Sequence, residues 1–551
     1  MRIWLDPALY WQLGISDFIG SITSYFAYED EGAVGVHSNR LYKRHICYAE
    51  GYGPNPSPDE PDCDCRYTDC SRSKYIVSPF SLQERVLSIW DHELRCAPDL
   101  YLARCDDTHW LACNPIDQGM VVVLDEEAHA LLELFRSGHI LKELAKQWAN
   151  DTATDFDQPF VMHKVHLVAL FVALGLIIDI YQYENSLPVA SSYESRTLSA
   201  WLHVTNACNM RCSYCYISKN TEHMADDVGK RAIDAVFRSA IRAGYQQVRL
   251  KYAGGEPLLH FSEVLALHDY ALQQAERYGL QLSATLLSNG AALIPRVIEQ
   301  LKQRAISVAI SLDGVGEDHD KQRPLLHGMG SFRLVDRAIM RLLEHDLIPH
   351  VNVTVSQRNL SGLPKLVAYL LEHDLPFSFS YYRENDCSAT LADLQFSEGQ
   401  MIAGMKAAFT CIEQHMTPRR VYSSLIDKAS LAAPHHQTCG VGRNYLVIDQ
   451  HGGVAKCQME ITQTITTIDA EDPLQDIRMQ QAGAQVLDVD AKEGCRTCNW
   501  RYWCTGGCAV LTYRLTGRND IRSPNCGIYK ALFPEALRLE ALRLLKYTYG
   551  L

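Results

Sequence analysis

Between Trp201 and Tyr382 short apolar stretches alternate with helix-length amphipathic ones, and this alternation constrains the chain more than any other feature. The strand candidates are "WLHVTNA", "VRLKYAG", "LSATLLSNG", "ISVAISLDG", "HVNVTVS" and "FSFSYY"; between them lie segments such as "DDVGKRAIDAVFRSAIRAG" and "FRLVDRAIMRLLEHD". A strand followed by a helix returns to pair in parallel with its neighbour. Six such repeats predict an α/β fold with a parallel sheet, closed or partly closed, and chemistry at the C-terminal strand ends. The first strand runs straight into "CNMRCSYC", which puts Cys208, Cys212 and Cys215 where that fold gathers its ligands.

A chain of 551 residues is long enough for two to four cores. Its formal charge of -13 works against a nonspecific nucleic-acid binder and against attachment to anionic membranes. The most membrane-like run, "LVALFVALGLII" (Leu167 to Ile178), falls short of the ~20 residues a bilayer needs and reads as a buried helix. No export signal is evident after "MRIWLDPALYWQLG", so a cytoplasmic location is expected. In that setting 19 cysteines, gathered at 208 to 215 and 439 to 526 with a looser group from 47 to 113, point to metal or thiol chemistry rather than disulfides.

Closely spaced thiolates select zinc or iron–sulfur clusters. A structural zinc wants four ligands in two pairs, and the next cysteine after Cys215 is Cys387. A cluster with one iron left free of protein answers the spacing better; a zinc site with a remote ligand, or buried free thiols, are the alternatives.

"CNMRCSYC" resembles the three-cysteine signature of radical S-adenosylmethionine (SAM) enzymes, with Tyr214 before the third cysteine. The resemblance implies a partial (β/α)6 barrel in which Cys208, Cys212 and Cys215 hold a 4Fe-4S cluster whose free iron chelates SAM. Reductive cleavage of SAM then yields a 5'-deoxyadenosyl radical that removes hydrogen from carbon. "AGGEP" resembles the motif that receives the SAM amino group, with Gly254 and Gly255 allowing close backbone approach, Glu256 offering a carboxylate and Pro257 closing the motif. Ser288 and Asn289 of "LSNG", and Ser311 and Asp313 of "SLDG", sit at the next two strand ends; Ser311 and Asp313 resemble the groups that handle the SAM carboxylate or ribose. The run Ser311 to Phe332, with His319, Asp320 and Arg323, resembles a segment of sulfatase-maturing and peptide-modifying members.

A second cysteine field reads "CGVGRNYLVIDQHGGVAKC", "CRTCNWRYWCTGGC" and "NCGIY". It resembles the SPASM extension of radical SAM enzymes, which usually carries two auxiliary 4Fe-4S clusters. Carried over by position, Cys495, Cys498, Cys504 and Cys526 hold one cluster, and Cys439, Cys457 and Cys508 the other. That makes three 4Fe-4S clusters with SAM as the cofactor set. The second trio lacks a fourth ligand: an open iron, a remote Cys387 or Cys411, or His435 and His436 are the alternatives. Sulfatase-maturing relatives place an aspartate after the cysteine matching Cys457, where this chain has Gln458. An amide cannot take up a proton at neutral pH, so formylglycine formation is demoted to an alternative.

Residues 99–181, with "CDDTHWLACNP" and "VVVLDEEAHALLELFRSGHILKELAKQW", resemble PqqD, a small winged-helix-like leader-recognition domain that binds a precursor peptide by adding it as a strand. The expected organisation is an extension over 1–98, the PqqD-like domain, a linker over 182–199, the barrel over 200–382, a helical bridge over 383–438, the SPASM region over 439–530 and a terminal helix over 531–551. Cys63, Cys65 and Cys70 are read as loop thiols without a site. The expected function is modification of a ribosomally synthesised precursor peptide, with a reducing partner such as flavodoxin or ferredoxin and no nucleic acid or membrane. A peptide-binding scaffold with inactive metal knuckles is the alternative from another class.

Overall fold

A computed structural model describes residues 1–6, 9, 82–117, 119–151, 158–185, 196–548 and 550. The chain divides into two compact units: Met1–Ala190 with Glu540–Leu551, and Ser191–Leu539. Cys63, Cys65 and Cys70 lie outside the described residues.

The first unit contains β1 (Ile3–Trp4), β2 (Glu93–Cys96), β3 (Tyr101–Arg104), β4 (His109–Cys113), β5 (Val122–Asp125), β6 (His139–Ile140) and β7 (Ile177–Asp179). One sheet has the order β1-β5-β4-β3 and another β6-β2-β7. Asp125 ends β5 and caps the helix Glu126–Leu134, its carboxylate accepting from the Ala128 amide at 2.7 Å. The helix Pro159–Ala173 is apolar on nearly every face and accordingly buried.

Three features of this unit differ from the sequence reading. The run Leu167–Ile178 is not one helix: the helix stops at Ala173, Gly175 turns the chain at φ +69°, and Ile177–Asp179 form β7. Residues 82–98, part of the expected extension, contain the helix Leu82–Ile89 and β2, whose alternate side chains Leu94 and Cys96 are buried. The first residues are no separate extension in their contacts, because β1 pairs antiparallel with β5 and sends Ile3 into the core.

The second unit holds β8 (Thr197–Thr205), β9 (Gln247–Gly254), β10 (Gln281–Ser288), β11 (Ile306–Ser311), β12 (His350–Val355) and β13 (Phe377–Tyr381), all parallel and paired in chain order. This is the partial six-strand α/β barrel that the alternation predicts. On the helix side Leu198, Ala200, Leu202, Val248, Leu250 and Tyr252 are fully buried. β14 (Tyr445–Ile448) extends the sheet in parallel beyond β8, and β15 (Gly453–Ala455) and β16 (Thr466–Thr467) follow antiparallel. The terminal helix, read as starting at 531, begins at Cys526 and runs to Tyr547.

Candidate active site

The loop leaving β8 carries Cys208, Cys212 and Cys215, and a second loop clamps it. The Arg211 amide donates to Pro324 O at 2.8 Å, the Ser213 amide to Gln322 O at 3.1 Å, and the Leu326 amide to Asn209 O at 2.9 Å. Hydrogen bonds reach two of the sulfurs: Lys219 Nζ lies 3.0 Å from Cys215 Sγ, and the Met210 amide 3.4 Å from Cys208 Sγ. Burial pushes the Cys212 thiol up to about 11, against the pull of Arg323.

The glycines of "AGGEP" let β9 press against the start of this loop. The Gly255 amide donates to Thr205 O at 2.6 Å and the Glu256 amide to Ala207 O at 2.8 Å, and a Cβ on Gly255 would stand 2.2 Å from Ala207 O. Pro257 opens the short 3-10 turn that follows and is buried. Glu256 is held by partners within the protein. Its fully buried carboxylate accepts from Ser288 Oγ at 2.8 Å, the Asn289 amide at 2.7 Å and the Leu258 amide at 3.1 Å, while burial raises its pKa. It ties the second strand end to the third. Asn289 then turns its amide to Asn209 Oδ1 at 2.8 Å, with Cys208 Sγ at 3.8 Å.

Asp313 is likewise occupied within the protein. Its carboxylate accepts from the Tyr214 hydroxyl at 2.6 Å and the Thr354 amide at 2.7 Å, and faces the Arg323 guanidinium at 3.5 Å. Arg323 also donates to Tyr214, closing a buried ring that braces the residue before Cys215. Ser311 differs from both: its side chain is partly exposed at the strand end, and it makes no hydrogen bond among the described residues. The sequence reading did not single out Lys219 or Asn385, whose amide holds Tyr214 O at 3.1 Å; both were legible only as polar residues near a motif.

Cys495, Cys498, Cys504 and Cys526 line one cavity with Trp500 and Phe533, so the structure brings that predicted set together. Burial pushes Cys495 to about 11 and Cys504 to about 12. Cys439, Cys457 and Cys508 pack together around Val441 and Val510. Burial raises Cys457 to about 12; on Cys508, Arg383 and Lys428 outweigh burial and lower the thiol.

Three of the residues suggested as fourth ligands have contacts of their own. Cys411 Sγ bonds Pro364 O at 3.2 Å, and Cys387 Sγ sits 3.6 Å from Tyr216 O, beside Cys215. His436 faces Asp488 at 3.3 Å and Asp490 at 3.7 Å, and Asp490 is already met by Arg501 at 3.3 Å. A tetrahedral zinc would draw its sulfurs to about 3.8 Å from one another. Among the described residues, however, the one group of three or more His, Cys, Asp or Glu with ligand atoms all within 4.8 Å is His436, Asp488 and Asp490.

The parallel sheet with a thiolate loop at its first strand end defines a class, and residues 202–361 match the radical SAM superfamily: this stretch is a radical SAM domain, which implies SAM and a 4Fe-4S cluster. The chain is similar to the uncharacterized protein MJ0907 of Methanocaldococcus jannaschii, 31% identical over 31% of this chain and 57% of that protein. It is also similar to the antilisterial bacteriocin subtilosin biosynthesis protein AlbA of Bacillus subtilis, 24% identical over 48% of this chain and 55% of that one. It thus spans little more than half the length of these two relatives. The solved structure of native anSMEcpe with bound AdoMet and Cp18Cys peptide shares the fold, with a TM-score of 0.51 at 18% identity over 63% of this chain and 99% of that chain. Among the described residues no helix is long and apolar enough to cross a membrane.

Proposed function

We propose that this chain is a radical SAM maturase that modifies a ribosomally synthesised precursor peptide, with Cys208, Cys212 and Cys215 holding the SAM-binding cluster and the other seven cysteines holding two auxiliary clusters. When bound, cluster and SAM supply a reductively generated radical that takes hydrogen from carbon. The protein's own part is placement. Asn289 and the Tyr214–Asp313–Arg323 ring fix the cysteine loop, Gly254 and Gly255 let the second strand end close on the start of that loop, and Ser311 is the hydroxyl left open to the ligand.

The observation that carries the reading is the gathering of Cys495, Cys498, Cys504 and Cys526 around one cavity in the same unit as the radical SAM loop. The similarity to a bacteriocin biosynthesis protein supports a peptide as substrate. So does the first unit, where the sheet order leaves β3 at an edge to which a PqqD-like domain could add a leader strand. Formylglycine formation is less favoured: Gln458 stands beside Cys457, accepting from the Tyr445 hydroxyl at 3.1 Å, and supplies no proton acceptor.

The test is anaerobic reconstitution with a flavodoxin or chemical reductant. It should give about twelve irons per chain, as three four-iron clusters require, and 5'-deoxyadenosine from SAM. Co-expression with short open reading frames beside the gene should give a mass or stereochemical change in one encoded peptide. A zinc-only protein that forms no 5'-deoxyadenosine would be a binding scaffold, and activity confined to a sulfatase cysteine or serine would restore the formylglycine reading.

A further inference from the structure

The inner wall of the barrel carries a cation pair to which no carboxylate among the described residues is bonded. Strands β8 to β13 contain no Asp or Glu, and their only Lys or Arg residues are Arg249 and Lys251. Both face inward. Their neighbours Val248, Leu250 and Tyr252 are buried on the helix side, where the Tyr252 hydroxyl meets His268 at 3.2 Å. Arg249 and Lys251 alternate with them, Arg249 opposite Ser199 and Ser283, and Lys251 opposite Trp201 and Thr285.

Neither cation makes a hydrogen bond or ion pair among the described residues; Lys251 Nζ stands 5.7 Å from the centre of the Tyr445 ring. Burial, with Arg249 and Lys428 nearby, pushes the Lys251 ammonium down to about 8, as expected of a cation short of counter-charge. Of the sulfurs, Cys439 is the one that bears on Lys251, and it is shared: Cys439 and Cys508 also face Lys428, and Cys508 faces Arg383. Asp427, which precedes Lys428 in the chain, is paired with Arg383. Cations on a low-dielectric wall are costly unless matched, and they focus a field that draws anions in.

We propose that Arg249 and Lys251 form a carboxylate-binding subsite inside the barrel that seats an acidic side chain, or the free C-terminal carboxylate, of the peptide to be modified. This rests on the peptide-modifying reading and names what that peptide must carry. Lys251 lies three residues before Gly254, so the subsite is about 10 Å below the strand end at which SAM is held. An extended peptide covers that distance in about three residues, so the acidic group belongs about three residues from the modified one.

The experiment is equilibrium dialysis of the full cluster-loaded chain, in low salt, against three acetylated pentapeptides of sequence Gly-Ala-X-Ala-Gly. One has X = Asp with an amidated end, one X = Asn with an amidated end, and one X = Asn with a free carboxylate. At least one carboxylate peptide should bind about tenfold tighter than the amidated Asn peptide, and which one identifies the source of the carboxylate. The preference should shrink with added salt, vanish in Arg249→Gln/Lys251→Gln, and survive in Lys251→Arg. Equal retention of all three peptides by the unaltered chain overturns the subsite, as does undiminished preference in a double variant with full iron content. Should the double variant lose iron, Lys251→Met against Lys251→Arg decides on the same readout. Peptide modification is scored separately by SAM-dependent mass change: its absence with the preference intact defeats the peptide reading alone, and its presence without the preference defeats the subsite alone.

Discussion

The Thr505 hydroxyl donates to Thr438 Oγ1 at 2.9 Å, and these residues are the immediate neighbours of Cys504 and Cys439. One side-chain hydrogen bond thus joins the segments that carry the two C-terminal cysteine sets. Thr438 Oγ1 passes on to Gly507 O at 2.8 Å, and Lys492 Nζ donates to Thr505 O at 2.9 Å while acting on thiols of both sets. Thr505 is fully buried in a left-handed conformation, φ +47°, which a non-glycine residue holds only when its surroundings fix it.

Breaking this link should therefore weaken both sets together. Thr438→Val keeps the shape but strands the Thr505 hydroxyl and Gly507 O, at a cost of about 1–3 kcal/mol. Thr438→Ser should restore stability. Anaerobic thermal unfolding checks this, and a valine variant with unchanged Tm would show that the link carries no stability.

Gly255→Ala should act on the radical SAM loop alone. The new Cβ would meet Ala207 O at 2.2 Å and Asn206 O at 2.7 Å, both backbone atoms just ahead of Cys208 that no side-chain rotation can relieve. The expected result is loss of about four of about twelve irons and of 5'-deoxyadenosine formation, with auxiliary signals retained in electron paramagnetic resonance. Gly399→Ala, with nothing within 4 Å of its Cβ, is the control.

Removing Arg323 should be among the most destabilising single changes in this unit. Arg323→Met leaves the fully buried Asp313 carboxylate without its cation, a loss of about 3–5 kcal/mol. Adding Asp313→Asn removes the stranded charge and should recover part of that loss. A double-mutant cycle in urea reads the coupling; strictly additive effects would mean the pair is not coupled.

Much of this arrangement was legible from the chain alone, for a physical reason. Strands β8 to β13 are apolar on their helix side and follow helices of barrel length, and cysteine spacing is a local signal. What was not legible depends on partners distant in sequence. Glu256 and Asp313 read as ligand-facing carboxylates, yet they bind Ser288, Asn289, Tyr214 and Thr354, residues that only the fold brings to them. Residues 445–467 read as metal-binding chain, yet they also add β14 to β16 to the edge of β8, because Leu446, Val447 and Ile448 are buried there. Ile3 and Trp4 gave too short an apolar run to announce that they pair with β5.

Acid should weaken the second unit through two buried histidines. His319 accepts from the Asp313 amide through Nδ1 at 3.2 Å, so protonation at that nitrogen would set N–H against N–H beside the Asp313 ring. Burial, reinforced by Arg323, lowers His319 to about 4, and burial lowers His350 to about 3. Both values lie below the 6.5 of a free imidazole, so between these limits the unfolded chain binds more protons than the folded one. The stabilisation is complete above pH 6.5 and is lost as pH falls toward the folded values. For His319 the slope is up to about 1.4 kcal/mol per pH unit, or about 2 kcal/mol between pH 6.5 and 5.0. His319→Asn keeps an acceptor for the Asp313 amide but cannot titrate. Parallel anaerobic urea titrations of the two proteins should therefore show a flatter pH dependence for the variant over that interval, with any cluster contribution common to both. Equal slopes would mean that His319 already carries its proton in the folded protein, and the hydrogen bond from the Asp313 amide would then have to be redrawn.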